Sequence, residues 1–315
     1  MSHPSSVPAH PDVSPADAAR WARNRRRRRV IGYSILAILI LPPLADLVSD
    51  PFGEVADWHY AAALENYETG NRKQAEANLK ASERWAPSDP QAHIARAGWR
   101  VREERYDEAL EELNRAIEIG GETTQLLMER SVVYQHLQRY DEAVADWEKI
   151  LAQTKPSLLE RLDPTDFRHR RANVLNAVAY AQSLGKLDLP LALRRINESL
   201  ELLGERGATA EKLDTRGYIH YLMGDYQLAL ADLNESIKQT DAFRRSLQDN
   251  LALLRRRSAD VRNLELTIEG ADRALAVMLY HRALVYDALG NEDRASADRE
   301  RVREITGREA GEWLF

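Results

Sequence analysis

Histidine and carboxylate side chains are the residues of this 315-residue chain that could bind metals or transfer protons. The eight histidines are scattered, and the 34-residue separation of His59 and His93 recurs between other residues of the chain. We interpret that separation as a property of the fold and not as the spacing of metal ligands, because zinc needs three or four converging ligands. The carboxylates mostly follow turn and surface patterns, so no acid–base pair stands out. The sequence therefore predicts no metal site and no catalytic residue.

The motifs of several enzyme classes are also missing. The chain has no cysteine, which excludes a thiolate metal site, a disulfide and a cysteine nucleophile. Gly185-Lys186 lacks the upstream glycine and the following Ser or Thr of a phosphate-binding loop. Neither Gly-x-Ser-x-Gly nor His-Glu-x-x-His occurs. We therefore expect no enzymatic activity, no cofactor and no small-molecule ligand.

Charge is divided unevenly along the chain. Residues 1–29 contain seven arginines and two aspartates, a net charge of +5, although the whole chain has a net charge of −6. Residues 50–315 therefore carry −10. Because nucleic acids attract basic surfaces, so acidic a body argues against nucleic-acid binding.

The N-terminal region predicts a membrane anchor. Residues 1–29 form a disordered basic tail in this interpretation, and residues 30–49 begin with twelve unbroken apolar residues. Twenty helical residues span roughly 30 Å, enough for a transmembrane helix or signal-anchor, although a cleaved signal peptide is the alternative. Positively charged flanks stay cytoplasmic, which predicts a single-pass protein of the cell membrane with residues 50–315 on the periplasmic side. The orienting residues are Arg25, Arg26, Arg27, Arg28 and Arg29.

A 34-residue period begins after this region. Ala75, Ala109 and Ala143 are 34 residues apart, and each follows a similar turn sequence. Gly224 to Ala229 and Gly290 to Ala295 repeat the same form. In this period, the chain from about residue 56 to residue 305 resembles the tetratricopeptide repeat family. The resemblance implies an all-α fold, namely a right-handed superhelix (solenoid) of helix hairpins that binds other proteins.

The repeats are predicted to form one domain, residues 50–315. Its units lie at about 56–89, 90–123, 124–157, 172–209, 210–243 and 276–309, with an irregular link at 155–171. An added or degenerate helix is predicted at about 241–269, where Phe243, Leu247, Leu251 and Leu254 follow one helical stripe. Close helix contacts need small residues, and the candidates are Ala63, Ala75, Ala97, Ala109, Ala143, Gly217, Ala229, Ala283 and Ala295.

The resemblance also implies a concave groove that is lined by the first helix of each unit and holds a peptide or a helix of a partner protein. Its candidate residues, beside Gly98, are Tyr60, Leu64, Tyr67, Ile94, Val101, Met128, Val132, Gln135, Tyr218, Tyr221, Tyr280 and Leu284. Rigid tyrosine rings with polar tips suit protein recognition.

The expected function is a membrane-anchored scaffold for protein–protein interactions, as an accessory subunit of a bacterial envelope complex. One alternative is a soluble secreted or periplasmic carrier that is released by signal cleavage. A second alternative is a ligand-binding or enzymatic protein that uses the groove.

Overall fold

The computed structural model describes residues 51–158, 160–204, 209–256, 261–311 and 314. These residues form twelve α-helices and no strand, which confirms the predicted all-α class. The helices are α1 Pro51–Glu68, α2 Arg72–Trp85, α3 Gln91–Arg102, α4 Tyr106–Gly120, α5 Thr124–His136, α6 Tyr140–Gln153, α7 Thr165–Leu184, α8 Leu189–Leu203, α9 Ala210–Met223, α10 Tyr226–Arg256, α11 Arg262–Ala288 and α12 Glu292–Thr306.

The predicted basic tail, with Arg25 to Arg29, and the predicted membrane span at residues 30–49 lie outside the described residues. Within the described ranges, no helix is both long enough and apolar enough to cross a membrane. Even α10, the longest of them, is interrupted by charged residues such as Asp241 and Arg244. This finding contradicts the predicted single-pass localisation.

The chain divides into two compact units, Met1–Pro87 and Ser88–Phe315, so a boundary falls inside the predicted repeat domain. In the first unit, α1 and α2 pack against each other. In the second unit, each helix from α3 to α12 packs against the next one along the chain. Helix α9 also contacts α7 and α11, so the first helices of the last three hairpins form a common layer.

The hairpins turn at equivalent positions, five residues before the repeated alanines. Gly70, Gly224 and Gly290 have φ angles of 84°, 87° and 70° there. Glu104 and Gln138 occupy the same position in two other hairpins, with φ angles of 58° and 56°. A side chain in this left-handed region costs roughly 1–2 kcal/mol, so glycine is the residue that suits the turn best.

Small residues separate the helices of each hairpin. The eight candidate alanines are at most 1% exposed: Ala63, Ala75, Ala97, Ala109, Ala143, Ala229, Ala283 and Ala295. Gly217 is buried as well, and a Cβ atom there would lie 2.8 Å from Leu233 Cγ. Because real Cβ atoms do not approach other atoms so closely, the contact between α9 and α10 requires glycine.

Residues 241–269 differ from the prediction of an added helix. Within this range, residues 241–256 extend α10, which has 31 residues, and residues 262–269 extend α11, which has 27. No glycine or proline interrupts α10, and its apolar residues keep helical spacing to the end. Arg255 Nη2 lies 2.5 Å from Glu265 Oε1, and this ion pair joins the two extensions.

Candidate functional site

Three candidate groove residues lie on α1, in the first unit. Tyr60 is half-buried and Leu64 is partly exposed. Tyr67 is buried, and the Arg72 guanidinium carbon lies 3.4 Å from the centre of its ring. Arg72 Nη1 also donates a hydrogen bond of 2.9 Å to the Tyr67 carbonyl oxygen. Tyr67 therefore packs within its own hairpin.

An apolar cavity of about 360 Å³ lies between α3 and α5 in the second unit. Four candidate residues line it together, and we call this cavity the apolar groove: Ile94, Gly98, Val101 and Val132. A Cβ atom added to Gly98 would meet nothing within 4 Å, so this side of α3 is open. On α5, Met128 and Val132 are each 43% exposed, an unusual amount for large apolar side chains four residues apart on one helix.

A second cavity of about 480 Å³ lies at the turns of the hairpins and has mostly polar walls. We call it the polar cavity; it is lined by Glu104, Tyr106, Gln135, His136, Gln138, Tyr140, Leu184, Lys186, Tyr218 and Arg308. Gln135 and Tyr218 were candidates from the sequence. Arg308 was not, because it follows α12 and reaches this cavity only through the fold.

Aromatic stacking shapes the wall of the polar cavity. The rings of Tyr106 and His136 are nearly parallel, with centroids 4.4 Å apart. Burial lowers the pKa of His136, which favours its neutral form. The wall therefore offers flat ring faces and hydrogen-bonding groups at the same place.

Tyr218 and Tyr221 contribute mainly to packing. Tyr218 is only 7% exposed and stacks on His281, with ring centroids 4.1 Å apart. His281 is fully buried, and its Nδ1 atom lies 2.8 Å from Asp214 Oδ1. Tyr221 is half-buried, and burial raises its pKa. These groups join α9 to α11 and leave little ring surface for a partner.

The remaining two candidates lie on α11. Tyr280 is half-buried and packs against the cluster that contains Ile237, Leu275 and Leu279. Leu284 is half-buried too. The structure therefore brings Ile94, Gly98, Val101 and Val132 together in the apolar groove and Gln135 and Tyr218 together in the polar cavity. Tyr280 and Leu284 line neither of these two cavities.

Sequence reasoning missed a recurring set of arginines that link three helices, which we call the arginine clamps. Arg130 makes two hydrogen bonds of 2.7 Å to Asp146 on the next helix. Its Nη1 atom donates a third, of 2.9 Å, to Asn114 Oδ1 on the preceding helix. Arg216 with Asp232, and Arg282 with Asp298, repeat the bidentate pair with the same separation of 16 residues.

The signal for the clamps was present in the sequence. The arginine lies 13 residues before the turn alanine, and the aspartate lies three residues after it, as in Arg130, Ala143 and Asp146. Arg96 and Glu112 keep this register, with a distance of 3.0 Å between Nη1 and Oε2. The Arg130–Asp146 pair joins the two helices of one hairpin, and the hydrogen bond to Asn114 joins that hairpin to the preceding one.

No three His, Asp or Glu side chains within the described ranges could hold a metal ion together. The absence of a cofactor and of enzymatic activity stays a prediction.

Comparison with solved structures identifies the fold. A tetratricopeptide repeat protein from Parabacteroides merdae ATCC 43184 superposes with a TM-score of 0.51 and 14% sequence identity, over 81% of this chain and 94% of that one. PilW, described as a widely conserved type IV pilus biogenesis factor, gives a TM-score of 0.50 and 16% identity, over 82% and 96% of the two chains. The fold is therefore of the tetratricopeptide-repeat type. No family model matches the sequence, and no curated protein matches it.

Proposed function

We propose that this protein is a scaffold for protein–protein interactions that binds a helix or peptide of a partner in the apolar groove. The observation that supports the proposal most directly is the open apolar surface between α3 and α5. Exposed apolar residues next to one another are costly in water, and on folded proteins they mark interaction sites.

The shape of the groove suits a polypeptide guest. Ile94, Gly98 and Val101 follow the helical spacing of α3, and Met128 and Val132 follow that of α5. Two parallel rows of residues with a gap between them match the ridge of side chains on a third helix. The fold supports the same role, because stacked helical hairpins create extended binding surfaces.

Site-specific photo-crosslinking tests the proposal. A photoreactive residue at Val132, which lines the apolar groove, should give a discrete adduct with a partner in the cell. The matched control position is Leu228, which is 54% exposed on α10 and does not line the apolar groove. Crosslinks at Val132 that vanish on Gly98→Leu, which fills the groove, would support the proposal. The same adducts from Leu228 would contradict it.

We also propose that the protein acts by binding and not by catalysis. Two histidine–carboxylate pairs among the described residues have the distance of a catalytic dyad: His281 with Asp214, at 2.8 Å, and His93 with Glu112, at 2.6 Å. Glu112 also accepts a hydrogen bond from Arg96, in the register of the arginine clamps. Because His281 is fully buried against Tyr218, no substrate could reach its ring without local unfolding.

A further inference from the structure

Two carboxylates of the hairpins α3–α4 and α5–α6, one in the apolar groove and one in the polar cavity, have no ion pair within the described part of the chain. Glu129 lines the groove and accepts a hydrogen bond of 3.0 Å from Gln125, a neutral group. Glu104, two residues after the groove residue Arg102, is exposed at the polar cavity and forms no ion pair with a described residue. Both negative charges are therefore available to a guest.

The cations of the same two hairpins are already engaged. Arg96 Nη1 lies 3.0 Å from Glu112, and Arg130 is held by Asp146. Arg100 contacts Glu103 and Glu108, at 3.1 and 3.3 Å. Arg102, the cation that lines the groove, also has an interaction partner.

The surrounding sequence strengthens the negative charge. Residues 91–153, which contain α3 to α6, carry thirteen Asp and Glu against eight Lys and Arg, a net charge of −5. The polar cavity has mixed charge, because Lys186 and Arg308 line it together with Glu104. Among the residues that line the apolar groove itself, Arg102 and Glu129 have opposite charges, so the negative excess belongs to the surrounding surface of these two hairpins.

We infer that the guest of the apolar groove is a basic amphipathic helix. Its apolar stripe would fill the space over Gly98, between Ile94 and Val132, and its Lys or Arg residues would reach Glu129 and Glu104. This inference rests on the proposed function and adds the chemistry of the partner. Complementary charge selects among partners and speeds their encounter, while the apolar stripe supplies most of the affinity.

Two labelled model peptides of about 18 residues, or five helical turns, test the inference. Both carry the same leucine stripe, and the polar face is lysine in one and glutamate in the other. Fluorescence anisotropy with the full chain should show binding of the lysine peptide about tenfold tighter than that of the glutamate peptide, and the difference should shrink at high salt.

Two variants with the same change in charge locate the attraction. Glu129→Gln should weaken binding of the lysine peptide about threefold, as expected for one partly exposed charge pair. Glu111→Gln removes an exposed carboxylate on α4 that does not line the groove, and it should leave the affinity unchanged. Equal effects of the two variants would overturn the inference, because attraction to the acidic surface in general would then explain the binding.

Gly98→Leu separates failure of this inference from failure of the proposed function. If both peptides bind equally well and both lose binding on Gly98→Leu, the groove remains a docking site but a basic guest is wrong. If Gly98→Leu changes neither affinity, the groove is not the docking site, and the proposed function fails as well. Binding of neither peptide would also overturn the basic-helix inference.

Discussion

Among single residues, the arginine clamps make the clearest energetic prediction. Arg130 and Asp146 are both nearly buried, so removal of either one leaves the other charge poorly solvated. We expect Arg130→Ala and Asp146→Ala each to lower the free energy of unfolding by about 3 kcal/mol. The double variant should lose about 2 kcal/mol less than the sum, because the second substitution removes a charge that is already unpaired.

Urea unfolding of the four proteins in this cycle measures the coupling. The matched control is the pair of Arg303 and Glu300 on α12, which is half-exposed, and whose coupling should stay below about 0.5 kcal/mol. A coupling of the clamp as small as that of the control would show that the Arg130–Asp146 pair does not stabilise the packing of the two helices within its hairpin.

For single residues, the repeat period predicted which residues are buried better than it predicted which residues face a partner. The repeated alanines are buried because they lie where two helices approach each other closely. A residue that is small at the same position of each repeat indicates such a contact. The tyrosines were harder to assign, since a ring on a first helix can face either the groove or the next hairpin. Tyr218 faces His281, a residue 63 positions later, and no local pattern indicates so distant a contact.

At the scale of elements, the carboxylate of Glu160 joins the link between α6 and α7 to α7 itself. Arg170 Nη1 lies 2.5 Å from Glu160 Oε1, and the Ser157 backbone N–H donates a hydrogen bond of 2.8 Å to Glu160 Oε2. Arg170, followed by Ser157, lowers the pKa of Glu160 from 4.5 to about 2. Because the folded pKa lies below the unfolded one, this interaction stabilises the link above about pH 4.5 and is lost as the pH falls towards 2.

An NMR titration of the Glu160 carboxyl carbon checks this prediction. Arg170→Gln should return the pKa of Glu160 towards 4.5, whereas Arg168→Gln, a neighbouring exposed arginine with no ion pair to a described residue, should not. A pKa that stays near 2 in Arg170→Gln would mean that the backbone of the link, and not Arg170, holds the carboxylate.

The positions of turns were easier to predict than the lengths of helices. Turn residues recur at the repeat period, so Gly224 and Gly290 mark hairpins directly in the sequence. The start of α7 was placed too late, at residue 172, because Pro164 suggested an irregular link. Proline is tolerated at a helix start, where its missing N–H would have no partner, and α7 begins at Thr165 directly after it.

For the molecule as a whole, the contribution of Arg308 to the polar cavity could not be predicted. Residues 104 and 308 are brought to one cavity by the accumulated rotation of several hairpins, and small errors in each rotation add up. The neighbouring contacts, by contrast, follow from chain order, since each helix of the second unit packs against the next. Local architecture was therefore predictable, and the closure of a cavity by distant residues was not.

Because helices of the second unit mainly contact their neighbours, a destabilising substitution there should loosen only the helices near it. In Gly217→Ala, the new Cβ atom would meet Leu233 Cγ at 2.8 Å and the Ala229 carbonyl oxygen at 3.3 Å, so the Leu233 side chain or the packing of α9 on α10 must shift. Such overpacking costs about 1–3 kcal/mol. Stability in repeat arrays is roughly a sum of terms between neighbours, so hydrogen exchange should accelerate at least about tenfold in α9 and α10, and less than about twofold in α3 to α5.

Gly98→Ala is the matched control, because its Cβ atom enters open space and should not accelerate exchange. Equal acceleration from α3 to α12 in Gly217→Ala would show instead that the ten helices unfold as one cooperative body.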